Sequence, residues 1–230
     1  MKKTFFTLAL AAACLGAAAQ TQPAAGPAGP AGYAESLGAT IRELMQTSDP
    51  ARLAELAARL ERAAAVAPAD WLPRYYQAYA LVINAFQSKE DGDAKDKTLD
   101  RAEAALAQAR RLKGDESELL ALQAYLYQAR LRVAPMLRGQ QYAEQVEAAV
   151  AQAKSLNPAN PRAYLVGANN LCYTPEEYGG GAAAAKPLYE EAQAKFVAFR
   201  PASALAPGWG QRQLLDRLAQ YAPAPAPAAK

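Results

Sequence analysis

Hydrophobic and polar positions along this chain follow a helical period almost throughout. One three-residue pattern recurs four times: Leu56/Leu60/Ala63, Ala102/Leu106/Ala109, Val146/Val150/Ala153 and Ala185/Tyr189/Ala192. The spacing of four and then three puts each triplet on one helix face. Recurrence at long, similar intervals predicts a repeated helix pair, with a small residue where two helices approach most closely.

Punctuation between the periodic runs sets the element boundaries. A first helix is predicted from Tyr33 to Gln46, and Asp49-Pro50 then caps and starts a second that runs to Val66. Asp70 caps a helix from Trp71 to Gln87, and another amphipathic helix follows from Lys95 to Leu112. Asp115 and Glu118 have capping-box spacing and open a helix to Val133. Pro135 and Gly139 read as a turn before a helix from Gln140 to Leu156. Asn160-Pro161 starts the next, ending near Tyr173, and Gly179-Gly180-Gly181 separates it from a helix to Phe199. Pro187 requires that helix either to begin near Ala184 or to kink. A last helix is predicted from Trp209 to Tyr221.

The ends have a different character. Residues 1–19 carry Lys2 and Lys3, an apolar run and Ala17-Ala18-Ala19, the layout of an export signal peptide. The apolar run is too short to anchor the chain across a bilayer, so a periplasmic or secreted protein that is not transmembrane is expected. Cys14 offers a second reading, an outer-envelope lipoprotein, although Ala11 stands where such signals place a larger aliphatic residue. Residues 20–32 form an Ala/Pro/Gly linker and 222–230 an Ala/Pro tail, leaving 33–221 as the folded repeat domain.

Composition narrows the chemistry. Without the signal segment, 23 basic side chains face 22 acidic ones, so charge gives no reason to expect a nucleic-acid partner. Cys172 is then the single cysteine and reads as a buried thiol, which leaves stability to packing of a chain that is 52% hydrophobic. The chain has no histidine, the commonest general base and metal ligand. Gly179-Gly180-Gly181 lacks the following Lys-Ser/Thr of a nucleotide loop and reads as a turn. Asp91, Asp93 and Asp96 begin like a calcium loop but lack its later glutamate, with Lys95 and Lys97 opposing a cation. No catalytic residue, metal site or cofactor is therefore assigned. Acids converging on one face with perturbed pKa values would be needed to support an enzyme.

These residues resemble the tetratricopeptide-repeat (TPR) family. The resemblance rests on the four triplets, on Pro68 and Pro158 five residues after Ala63 and Ala153, on Ala78, Ala124 and Gly167 at the small position of three first helices, and on Tyr127 as an aromatic in the second of them. The separations from Ala78 to Ala102, Ala124 to Val146 and Gly167 to Ala185 exceed the family's, so the helices or turns are extended and the repeat is TPR-like. Trp71 to Tyr79, Pro175 to Gly181 and Pro207-Gly-Trp-Gly210 also look like uncharacterised secreted TPR-like proteins of Bacteroidetes-type bacteria.

The resemblance implies an all-α, right-handed TPR-like α-solenoid of about four helix pairs plus a C-terminal capping helix. Carried across, its groove positions become Tyr75, Tyr79, Tyr125, Gln128 and Tyr164, where a rigid ring with a polar tip suits a protein or peptide partner. The same rings would alternatively add bulk to an Ala-rich core. The expected function is an exported, non-enzymatic scaffold in envelope assembly or transport. The alternative is a periplasmic small-molecule binding component whose groove is closed by the segment around Trp209. Leu205 and Trp209 would also suit self-association.

Overall fold

The computed structural model describes residues 29–221; the signal segment, most of the linker and the Ala/Pro tail lie outside the described residues. Among the described residues there are nine α-helices, one 3₁₀ turn at Glu176–Tyr178 and no strand. The helices are α1 (Tyr33–Leu44), α2 (Pro50–Val66), α3 (Leu72–Gln87), α4 (Gly92–Arg111), α5 (Glu116–Val133), α6 (Pro135–Leu156), α7 (Pro161–Tyr173), α8 (Ala182–Ala198) and α9 (Gln211–Ala219). They pack as an α-solenoid of four pairs. The first helices α1, α3, α5 and α7 touch in succession as an inner layer, and each is backed by its partner.

The triplets lie where the helical period puts them. All their members are buried except Ala63, which is half-buried. Small residues matter because paired helices pack closely: a Cβ on Gly167 of α7 would stand 3.2 Å from Val150 of α6. The α5 helix sits between α3, α4, α6 and α7, and accordingly buries residues around most of its circumference.

Capping explains most of the boundaries. Asp49, Asp115 and Asn160 accept backbone N–H bonds at the starts of α2, α5 and α7. Three starts differ from expectation. Asp91 caps Ala94 at 2.8 Å, so α4 begins at Gly92 instead of Lys95. Pro135 opens α6 rather than ending a turn, because proline fits the first helical position. Arg138 pins that first turn through a two-pronged pair with Asp96 at 2.7 and 2.9 Å. Gly210, at φ +103°, delays α9 to Gln211. Pro187 lies inside α8 on its exposed side, where water can reach the Ala183 carbonyl that loses its donor.

The largest addition to the expected fold is the path of the C-terminal segment. Between α8 and α9 it runs back over the inner layer. Tyr76 donates its hydroxyl proton to the carbonyls of Ala206 at 2.9 Å and Leu205 at 3.1 Å, and Leu205 reaches Gly38 of α1.

Candidate functional site

The inner layer carries a buried polar centre. Arg162, fully buried at the start of α7, grips Glu118 of α5 with Nε at 2.6 Å and Nη2 at 2.5 Å. Tyr75 of α3 donates to the same carboxylate at 3.4 Å and accepts the indole N–H of Trp209 at 2.7 Å. Asn160 reaches Ser117 at 3.0 Å, and Ser117 donates to the Ala153 carbonyl at 2.9 Å. Burial pushes the Glu118 carboxyl above its ordinary value, against the opposing pull of Arg162. The first helices of three successive pairs, α3, α5 and α7, and the returning segment thus meet at one ion pair.

From this centre a line of rings runs toward solvent. Trp209, only 2% exposed, stacks on Tyr79 with centroids 5.1 Å apart and on Tyr125 at 5.4 Å. Tyr125 in turn meets Phe86 at 5.0 Å, and the Arg132 guanidinium lies 5.8 Å from the Phe86 centroid. Beyond Tyr125 the inner face is not filled. A half-open cavity of about 480 Å³ lies there, walled by Phe86 and Gln87 of α3, by Tyr125, Gln128 and Arg132 of α5, by Asn169, Asn170 and Tyr173 of α7, and by Gln213 and Arg217 of α9.

Polar groups around this cavity are mostly held. Gln213 donates to the Tyr125 hydroxyl at 3.2 Å, and Gln128 to the Val166 carbonyl at 2.8 Å. Asn169 accepts from Tyr189 at 2.8 Å. Arg217 lies over the Tyr173 ring at 5.1 Å and donates to its hydroxyl. Tyr173 is 63% exposed, so this aromatic stands at the mouth. Burial pushes the Tyr125 hydroxyl up to about 12, against the opposing pull of the Gln213 hydrogen bond. Among the described residues no carboxylate lines the cavity, whereas two guanidinium groups do. The chemistry offered is flat apolar stacking with cationic ends.

The five groove residues carried over from the repeat resemblance fall in three places. Tyr125 and Gln128 line the cavity. Tyr75 is fully buried and Tyr79 half-buried, both under the returning segment. Tyr164 lies apart: its hydroxyl donates to the Pro158 carbonyl, and Lys154 and Lys195 stand 4.1 and 4.8 Å from its ring. Phe86, Arg132, Tyr173 and Arg217 were absent from the sequence-derived set. The one signal pointing to them was Pro207-Gly-Trp-Gly210, a large ring between glycines ahead of the last helix.

Other candidates resolve into structural roles. Asp91 is a helix cap, and Asp96 is taken by Arg130 and Arg138. Gly179 and Gly181 adopt positive φ in the turn between α7 and α8. Cys172 is half-buried against the core, more open than the sequence suggested. Trp209 is spent within its own chain. A second cavity, of about 330 Å³, lies between α1 and α2 beside Tyr33, Arg59 and Arg62. No described helix is long and apolar enough to cross a membrane.

No protein-family model matches the chain, and no curated protein does. Among solved structures, the chain is similar to the HusA haemophore from Porphyromonas gingivalis, at 37% identity and a TM-score of 0.73 over 82% of this chain and 92% of that one. At that identity and coverage, the chain belongs to the same family as the HusA haemophore.

Proposed function

We propose that this protein is an exported, non-enzymatic carrier that binds haem or a related porphyrin in the cavity between α3, α5, α7 and α9. The observation carrying this reading is the composition of that cavity. Its volume of about 480 Å³ is in the range of pockets that enclose cofactor-sized ligands. Phe86, Tyr125 and Tyr173 line it with aromatic surface suited to a flat macrocycle, and Arg132 and Arg217 offer charge-assisted hydrogen bonds to its carboxylates. The relationship to a haemophore supports the same class of cargo.

The residues also indicate how the cargo is held. Haem iron in proteins is usually held by His, Cys, Met or Tyr. The chain has no histidine, and among the described residues the cavity wall contains neither Cys nor Met. Both of its tyrosine hydroxyls already have partners, Gln213 donating to that of Tyr125 and Arg217 to that of Tyr173. Affinity is therefore assigned to the ring faces and the carboxylates, with little asked of the metal.

The earlier expectation of a peptide in the groove meets an obstacle. The stretch of inner face bearing Tyr75 and Tyr79 is already covered by Leu205, Ala206 and Trp209. A partner there would have to displace a buried tryptophan. The small-molecule alternative needs no such displacement.

Absorbance titrations with haem and with metal-free protoporphyrin IX test the reading. Both are expected to bind with one-to-one stoichiometry and similar affinity. Arg132→Glu with Arg217→Glu should weaken both by at least about tenfold, as expected for losing two charge-assisted bonds. Arg59→Glu with Arg62→Glu, at the second cavity, should leave binding intact. Binding that ignores the first pair, or fails in the parent protein, would overturn the assignment.

A further inference from the structure

The two ends of the C-terminal segment are held in very different ways. Trp209 is sandwiched between Tyr79 and Tyr125 and tied by its indole N–H to Tyr75. Two residues later α9 begins, a helix of nine residues, shorter than helices that hold together alone. Leu214 is its one fully buried side chain. Its side-chain hydrogen bonds to the body are Gln213 to Tyr125 and Arg217 to Tyr173, with Tyr221 just beyond it donating to the Ala182 carbonyl at 2.8 Å.

Between anchor and helix stands Gly210. Its φ of +103° is one that side chains rarely adopt, and a Cβ there would lie 2.9 Å from Leu165 and 3.0 Å from Phe196. Glycine is thus required where a fully seated tryptophan joins a helix held by one fully buried side chain, Leu214, and half-buried Leu218. That helix forms one wall of the cavity, and its two polar contacts rest on Tyr125 and Tyr173, the phenols beside which a flat cargo would stack.

We propose that α9 is a lid, which turns about Gly210 while Trp209 stays seated, admits the cargo and closes over it. The identity of the cargo rests on the porphyrin reading above; the motion of α9 does not. Arg217 donates to the Tyr173 hydroxyl, a one-oxygen acceptor rather than a carboxylate. With a carboxylate in the cavity the same guanidinium gains an oppositely charged, two-oxygen acceptor that it can grip in the bidentate fashion a hydroxyl does not allow. Cargo therefore favours the closed position, and the empty protein opens more readily.

Hydrogen exchange of the cargo-free protein reads the motion directly. Amides of α9 are expected to exchange well ahead of those of α8, through local opening. Equal protection of the two helices would overturn the lid. Stopped-flow mixing with metal-free protoporphyrin IX then tests its role through Leu214→Ala, which removes the helix's buried anchor without touching the cavity wall. Association and release should both accelerate by at least about tenfold, because the open fraction rises.

A locked form supplies the opposite perturbation. Ala182→Cys with Tyr221→Cys, in a Cys172→Ser background and bridged by a short bismaleimide, should slow association by at least about tenfold relative to the unbridged protein. Rates unchanged in both variants would overturn the lid. Rapid exchange of α9 in a protein that binds no porphyrin would uphold the lid and sink the assigned cargo.

Discussion

The inner face of the solenoid is one surface used in two ways. Over α1 and α3 it is filled: Leu205, Ala206 and Trp209 lie on Tyr76, Tyr75 and Tyr79, above the Glu118–Arg162 pair. Toward the far ends of α3, α5 and α7 the same face is left open, with Phe86, Tyr125 and Tyr173 around a cavity. Both regions are rich in aromatic rings and both contain arginine. They differ in what satisfies those groups. In the filled region the chain supplies its own ligand, a tryptophan and two carbonyls. In the open region the rings line a space, and among the described residues the guanidinium groups of Arg132 and Arg217 reach no carboxylate. The same aromatic-lined face is thus a filled core or an open cavity according to whether another part of the chain covers it.

The sharpest way to break this contrast is at the ion pair. Arg162→Ala leaves Glu118 buried without its partner and is expected to cost about 3–5 kcal/mol of stability by denaturant titration. Replacing both residues with apolar ones of similar size should recover much of that loss. Trp209→Ala comes next. Truncating a buried indole is expected to cost about 3–5 kcal/mol and, by removing the layer between Tyr79 and Tyr125, to extend the open cavity into the filled half. A crystal structure of that variant, or its uptake of a bulkier porphyrin, would show the change.

Smaller effects sharpen the open side. Arg217→Gln alone should weaken porphyrin binding by about tenfold, or about 1.4 kcal/mol, with little change in melting temperature. An equal loss in stability would instead mark Arg217 as part of the core. At the low end stands Asp96, far from the cavity. Hydrogen bonds from Arg138, then from Arg130, hold its carboxyl below the ordinary range. Its contribution is therefore present above the unfolded value of about 4 and is lost as pH falls through the lower folded value. Asp96→Asn should cost no more than about 1 kcal/mol at neutral pH and flatten the acid limb of the stability curve, with porphyrin affinity unchanged.

What could be read from the chain follows the same division. The helix pairs were legible because Leu56/Leu60, Ala102/Leu106/Ala109 and their counterparts record local periodicity, and the Asp and Asn caps mark where helices begin. Tyr125 and Gln128 were reachable because groove positions recur within a repeat. The cavity was not legible as a whole. Its lid is carried by α9, which belongs to no repeat, and the contacts that seat the returning segment join residues 129 to 134 positions apart. Nothing local to Tyr75 says that Trp209 will cover it, and nothing local to Tyr173 says that Arg217 will lie over its ring. Periodicity determines which face a residue occupies; long-range closure decides whether that face is full.

The most direct measurement is an amide chemical-shift map of the protein titrated with metal-free protoporphyrin IX. Shifts centred on Phe86–Gln87, Tyr125–Arg132, Asn169–Tyr173 and Gln213–Arg217, with Arg59 and Arg62 undisturbed, are the expected result. Shifts gathered around α1 and α2, or spread over the outer helices with no focus, would contradict a cargo site in the open half of the inner face.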